Sequence, residues 1–166
     1  MFNKINPSRM VYFGLGSNLG DRENYLQKAA GALHQVLGIE TQSSIYAAEP
    51  WGVIGQPEFL NMVVGCRTDR PLDGLLYIAL EIENELGRVR DNRWQPRSID
   101  IDIILADGET AQTPELTVPH HYLAQRRFAL LPLAEIAPQT MHPTLGKTIQ
   151  QLLEECPDNS WVELFK

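Results

Sequence analysis

Cysteine is scarce: 166 residues hold only two, Cys66 and Cys156, far apart and with no Cys or His neighbour at metal-ligand spacing. That argues against a disulfide-stapled scaffold or a zinc ribbon and suits free thiols in a reducing compartment. Positive charge is also short. Fourteen Lys and Arg stand against 21 Asp and Glu, a formal charge of −7. This argues against a general nucleic-acid binder, because affinity for a phosphate backbone needs a basic face. No apolar run approaches the ~20 residues of a membrane span, and the opening MFNKINPSR carries no apolar core of a signal peptide. Repeats, low-complexity tracts and Ser/Gly linkers are missing as well. The expectation is one cytoplasmic domain over residues 1–166, a monomer by default, with no membrane or nucleic-acid partner. Chains of this size bury roughly 68–70% of their unfolded surface and fold without a staple.

What is present is periodic. Residues 10–18, MVYFGLGSN, read as a strand running into a glycine-rich turn. From Asp21, the positions Leu26, Ala29, Ala30, Leu33, Val36 and Leu37 follow helical spacing, with Asp21 as cap and Gly38 as stop. Residues 41–49 and 59–66 are strand-like and predict a hairpin with a long connection. Leu72, Leu75, Leu76, Ala79, Ile82 and Leu86 predict a second helix, begun near Pro71 and closed by Gly87. Residues 98–105, SIDIDIIL, alternate as a strand, and Asp107-Gly108 signals a turn into a short hairpin. The order βαββαβ predicts an α+β, ferredoxin-like sandwich: an antiparallel sheet with both helices on one face. The remainder, with strand-like LTVP, a helical FALLPLAEIAP run and a short helix near residues 148–155, reads as an extension packed on the same domain.

Asp100 and Asp102 stand at i and i+2, so a strand puts both carboxylates on one face about 7 Å apart at Cα, with Ile99, Ile101 and Ile103 on the other. Side by side they repel, and a hard divalent cation relieves that repulsion. Just upstream, Arg88, Arg90, Arg93 and Arg97 place four of the 14 basic residues within ten positions. Guanidinium forks grip phosphate, so acids and arginines together favour phosphoryl transfer from a nucleotide such as ATP over a merely solvated charged face. Glu83 and Asn61 sit in patterns that are otherwise apolar, which leaves two readings open for each, a satisfied core hydrogen bond or a ligand contact. Trp94 and Trp51, in loops, suit covering a flat heterocycle. Gly146-Lys147-Thr148 lacks the first glycine of a P-loop, where Met141 stands, and Gly14-Leu15-Gly16 lacks the third glycine of a dinucleotide motif, where Leu19 stands. Adjacent His120 and His121 project differently, which argues against a two-histidine metal site.

The segment RWQPRSIDIDIIL at residues 93–105 resembles the signature of the 6-hydroxymethyl-7,8-dihydropterin pyrophosphokinases of folate biosynthesis, approximately RWGPR-x-x-D-L-D-I-x-L. Similar family segments recur in order: GLGSNLGDR, SSIYAAEPWG, QPEFLNMVV, ELGRVR, LTVPH and FALLPLAEIAP. The family fold is ferredoxin-like. The resemblance implies transfer of the β,γ-pyrophosphoryl group of ATP to the hydroxymethyl oxygen of a reduced pterin, releasing AMP. Carried over by motif, Asp100 and Asp102 hold two Mg²⁺ ions on the triphosphate, with Asp100 also close to the pterin. Arg88 and Arg97 steady the phosphates, and Trp94 helps seal the loop. Phe59 and Phe128 sandwich the pterin. Asn61 and the backbone around Ala48, Pro50 and Trp51 read its edge. Glu83, Ile103, Thr117, His120 and Arg126 line the nucleotide site, together with Arg88 and Arg97. No strong side-chain base is evident, so Asp102, with metal polarisation, is the candidate to assist loss of the hydroxyl proton.

Three positions depart from the family pattern. Gln95 replaces a glycine of the signature loop, Ala48 a common threonine, and Glu115 an arginine that some members place near adenine. The last predicts weak ATP binding in the absence of pterin. The alternatives are a metal-dependent phosphohydrolase using the same acid pair and a non-catalytic module that binds a pterin or nucleotide.

Overall fold

The computed structural model describes residues 7–50, 55–87 and 98–166. Strand β1 (Arg9–Ser17) leads to helix α1 (Arg22–Leu37), then β2 (Ile39–Gln42), β3 (Tyr46–Ala48), β4 (Phe59–Thr68), helix α2 (Leu72–Glu85) and β5 (Asp100–Ala106). The short strands β6 (Ala111–Gln112) and β7 (Thr117–Val118) pair with each other. Helices α3 (Arg127–Ile136) and α4 (Ile149–Glu154) and strand β8 (Val162–Leu164) complete the chain. The main sheet runs β5-β1-β4-β3-β8, with β2 also on β4, and the described pairings within it are antiparallel. The ferredoxin-like expectation holds.

Local chemistry sets the helix ends. The Asp21 side chain accepts from Asn24 N at 3.2 Å, and Gly38 closes α1 at φ 73°, a left-handed conformation that costs glycine little. One face of each helix then buries against the sheet. Leu26 and Leu33 of α1 and Leu75 and Ile82 of α2 pack on Val11, Phe13, Leu15, Leu60, Met62, Val64, Ile101 and Ile103. A second core covers part of the opposite face: Tyr12, Val63, Ile104 and Leu105 meet Leu123, Leu130, Leu133, Ile149 and Leu152. The chain after β5 therefore roofs half of the sheet's second face, and the site described below occupies the other half.

Three elements differ from the sequence expectation. The strand predicted over residues 41–49 is broken after Gln42, because Ser43 Oγ accepts from Val63 N at 2.8 Å and a side chain stands in for a ladder carbonyl. The alternation predicted for residues 98–105 holds through Ile104 and fails at Leu105. Tyr12 pairs with Leu105 and Phe13 with Ile103, so Ile104 is the extra residue of a bulge, and Ile104 and Leu105 both enter the second core. Strand β8 was not anticipated, since three residues of which only Val162 is half-buried and the other two are exposed carry little pattern. Pro132 lies inside α3, where it deprives the Phe128 carbonyl of its helical donor.

Candidate active site

On the N-terminal side of the bulge, Ile99, Ile101 and Ile103 are at most 3% exposed in the helix-side core. Asp100 and Asp102 therefore share the other face and are half-buried. Directly opposite them on β1 are two residues without side chains: Gly16 pairs with Asp100 and Gly14 with Asp102. One strand further, Gly16 pairs with Asn61 and Gly14 with Val63, and Asn61 in turn pairs with Tyr46 of β3. The same sheet face thus carries Asp100, Asp102, Gly14, Gly16, Phe59, Asn61, Tyr46 and Ala48.

The glycines make the floor. A methyl group on Gly16 would sit 3.0 Å from Asn61 Oδ1 and 3.6 Å from Phe59 Cδ1, so both side chains lie across it. Asn61 is 7% exposed, and among the described residues its Nδ2 has no hydrogen-bond partner. An unsatisfied buried donor costs about 1–3 kcal/mol, which a ligand acceptor relieves. The glycine-rich turn braces this wall: Asn18 Nδ2 donates to Gln56 Oε1 and Pro57 O, both at 3.3 Å, and Arg22 Nη1 donates to Glu58 O at 3.0 Å, just ahead of Phe59.

Glu83 is 1% exposed, and its Oε1 accepts from Ile101 N at 2.9 Å. It satisfies an outward N–H of edge strand β5 between the two aspartates, which is the core hydrogen bond left open by the sequence. The Ile103 side chain is in the helix-side core, so only its main chain is left for a ligand contact. His120 N donates to Ile104 O at 3.0 Å, which docks the residue beside β5, and its Nδ1 accepts from Tyr122 N at 3.2 Å. Burial and then the Arg126 charge push the His120 pKa down to about 4, against an opposing pull from Asp100. The ring is therefore neutral near pH 7 and offers Nε2–H as donor. The Arg126 guanidinium carbon lies 5.1 Å from the Tyr122 ring centroid and 5.7 Å from that of Phe128, in the first turn of α3. His120, Arg126, Asp100 and Phe128 thus gather at one end of the face.

Thr117 is exposed on β7, and Ala48 is 1% exposed with its main chain between β4 and β8. Pro50 is half-buried and Glu115 exposed. Trp51, Arg88, Arg90, Arg93, Trp94, Gln95 and Arg97 lie outside the described residues. Sequence reasoning did not place Tyr46 or the two floor glycines in the site; it met Gly14 and Gly16 only as an incomplete dinucleotide motif at a turn. The period of two on β1 and β3 was the available signal, but it needs the strand register to be read.

Two carboxylates on one sheet face are hard oxygen donors suited to Mg²⁺, and the glycines opposite let Ile104, Asn61 and Phe59 close down on that face: a methyl group would meet Ile104 Cγ2 at 3.2 Å on Gly14 and Asn61 Oδ1 at 3.0 Å on Gly16. Among the described residues no cluster of three or more His, Cys, Asp or Glu forms a fuller metal site. Fold and site together define an α+β enzyme of ferredoxin-like architecture acting on small molecules. The sequence profile of the family described as 7,8-dihydro-6-hydroxymethylpterin-pyrophosphokinase (HPPK) matches residues 12–138. The chain belongs to this family. It is 42% identical over 161 residues to the 2-amino-4-hydroxy-6-hydroxymethyldihydropteridine pyrophosphokinase of Bacillus subtilis, covering 95% of this chain and 96% of that one. The Aquifex aeolicus enzyme of the same name is 41% identical over 145 residues, 87% of this chain and 91% of that one. Among solved structures, Plasmodium falciparum HPPK-DHPS with pteroate shares the fold at TM-score 0.71 and 18% identity, covering 93% of this chain. This chain spans 43% of that longer protein.

Proposed function

We propose that this chain transfers the β,γ-pyrophosphoryl group of ATP to 6-hydroxymethyl-7,8-dihydropterin in folate synthesis, using the sheet face of Asp100, Asp102, Asn61 and Phe59. The reaction class follows from the family, and the residue roles are our reading of the geometry. The observation that carries those roles is the Asp100/Asp102 pair facing Gly16 and Gly14 on β1, with the next strand carrying an Asn61 amide whose buried donor has no partner among the described residues.

In this reading the pterin lies over Gly16 between Phe59 and Phe128, with its polar edge against Asn61 and the main chain near Ala48 and Pro50; Trp51 is assigned to that edge by motif alone and lies outside the described residues. The triphosphate runs along β5 toward His120, Arg126, Thr117 and the main chain of Ile103. Glu83 acts from beneath by holding the strand. Asp100 and Asp102 would hold two Mg²⁺ ions, which when bound supply positive charge to the phosphate oxygens. The hydroxymethyl oxygen forms a bond to the β-phosphorus, the bond from that phosphorus to the α,β-bridging oxygen breaks, and AMP leaves with that oxygen. The hydroxyl proton passes to solvent with help from the Asp102 carboxylate. Neutral His120 can donate Nε2–H to a phosphate oxygen, and Arg126 supplies fixed charge beside it. Arg88, Arg97 and Trp94 lie outside the described residues, and their assignment to the phosphates rests on the family motif alone.

Positioning and fixed charge supply most of such catalysis, which explains a site built on a rigid sheet. We read residues 1–166 as one cytosolic, monomeric catalytic unit; among the described residues no helix is long and apolar enough to cross a membrane. The test is an assay of purified protein with ATP, Mg²⁺ and the pterin, following AMP by chromatography. AMP that appears only with pterin supports the proposal. Phosphate release without pterin would indicate the hydrolase instead.

A further inference from the structure

Both sides of the proposed pterin slot are tied by one short stretch of chain that carries no slot residue. At one end, Asp158 Oδ2 accepts from Arg127 N at 3.0 Å, at the first residue of α3 and next to Phe128. Its Oδ1 accepts from Ser160 N at 2.9 Å, which fixes the carboxylate in a turn. Three residues later, Trp161 N donates to Glu49 Oε1 at 2.7 Å, and Glu49 N donates back to Trp161 O at 3.3 Å. Strand β8 then pairs along β3, with Val162 opposite Ala48 and Leu164 opposite Tyr46. Beyond it, Ile45 N donates to Lys166 O at 2.8 Å, and Lys166 Nζ reaches Glu23 of α1 at 2.9 Å.

We infer that residues 158–166 form a strap that sets the separation of the two walls of the pterin slot, with Asp158 and Glu49 as its positioning residues. The inference rests on the slot proposed above. Three residues of extended chain reach at most about 11 Å, so Asp158 and Trp161 cannot part, and α3 is held at a limited distance from β3. A flat ring packed between two faces demands such a fixed gap, because van der Waals attraction falls steeply when the gap widens by half an ångström or more. Partial burial pushes the Asp158 carboxyl up, but hydrogen bonds from the Ser160 side chain and from the Ser160 and Arg127 main-chain N–H groups hold it below the usual range, and the anion sits favourably at the start of α3. Strand β3 has only three residues, and β8 supplies the ladder on its second edge.

The experiment compares KM for pterin and for ATP in the full-length wild type, D158A, E49A, D158N and N61A, with thermal unfolding of each. The strap predicts that D158A and E49A each raise KM for pterin about tenfold, the consequence of one lost charge-assisted hydrogen bond. KM for ATP should stay within about twofold, and D158N, which keeps an acceptor for Arg127 N–H, should recover most of the loss. E49A reads the strap from its other end should D158A unfold. Unchanged pterin KM in D158A and E49A alongside a raised value in N61A would overturn the strap alone. An equal rise in both KM values would reduce it to a general stabiliser and overturn it too. An unaltered N61A would overturn the slot assignment, and the strap with it.

Discussion

Gly16→Ala places one methyl group in the proposed slot and leaves the rest of the chain alone. Its Cβ would lie 3.0 Å from Asn61 Oδ1 and 3.6 Å from Phe59 Cδ1. Gly16 is not among the residues with positive φ, so alanine meets no backbone strain there. The unfolded chain loses freedom, which stabilises by about 0.4–1 kcal/mol. Crowding costs about 1–3 kcal/mol unless Asn61 turns aside. The first offsets part of the second, and net stability should fall by between about zero and 2.6 kcal/mol. Binding has no such compensation. If Asn61 must shift by a few tenths of an ångström, one buried hydrogen bond to the pterin is lost, about 1–2 kcal/mol or a 5- to 30-fold rise in KM for pterin. Gly65→Ala is the control on the same face, away from the aspartates: its Cβ would meet Thr41 Oγ1 at 2.6 Å and Tyr12 Cε1 at 2.9 Å. That variant should lose stability with both KM values unchanged. Steady-state kinetics with thermal melts read both variants. A G16A enzyme with wild-type KM for pterin would refute the placement of the pterin over Gly16.

Further outcomes follow from other contacts. Glu83→Ala leaves the Ile101 N–H without its acceptor and opens a cavity, so stability should drop by about 2–4 kcal/mol in urea titration, with a smaller loss for Glu83→Gln. His142, 7% exposed, accepts through Nδ1 from Thr144 N at 3.3 Å and Leu145 N at 3.1 Å, and burial lowers its pKa below 6.5. The fold favours the neutral ring, so this contribution is intact above pH 6.5 and is lost as the pH falls below it. Urea midpoints from pH 7.5 down to 4.5 should decline more steeply for the wild type than for H142N. Cys66 is fully buried and its thiol is pushed up to about 11, so a thiol reagent near pH 8 should modify half-buried Cys156 first and reach Cys66 only in denaturant. Modification of Cys66 in the native protein would contradict the packing of the helix-side core.

Features set by near neighbours were legible in the sequence. Asp21 and Gly38 mark the ends of α1 because caps act within three or four residues, and the Asp-x-Asp spacing places both acids on one face of any strand. Features set by partners far along the chain were not. Ser43 breaks a strand only because Val63 lies opposite, and the Ile104 bulge appears only against β1. Strand β8 exists because β3 offers it an edge. Glu83 was recognisable as a polar residue in an apolar stripe, but its partner, Ile101 N, comes from β5. Gly14 and Gly16 read as turn residues by composition, yet in the fold they are mid-strand and face Asp102 and Asp100. The arginines of residues 88–97 remain a sequence argument: charge of one sign gathered in an acidic chain, beside the acids.

The most direct test of the account is AMP formation by the wild type, D100N and D102N at saturating ATP and pterin across a magnesium titration. Exchanging a carboxylate for a neutral amide keeps an oxygen but removes the negative charge that holds the cation, forfeiting several kcal/mol, so each variant should turn over at least about a hundredfold more slowly, with an unchanged melting temperature and a raised magnesium requirement. Full turnover by either variant at saturating magnesium would contradict the claim that this aspartate pair holds the reacting phosphates.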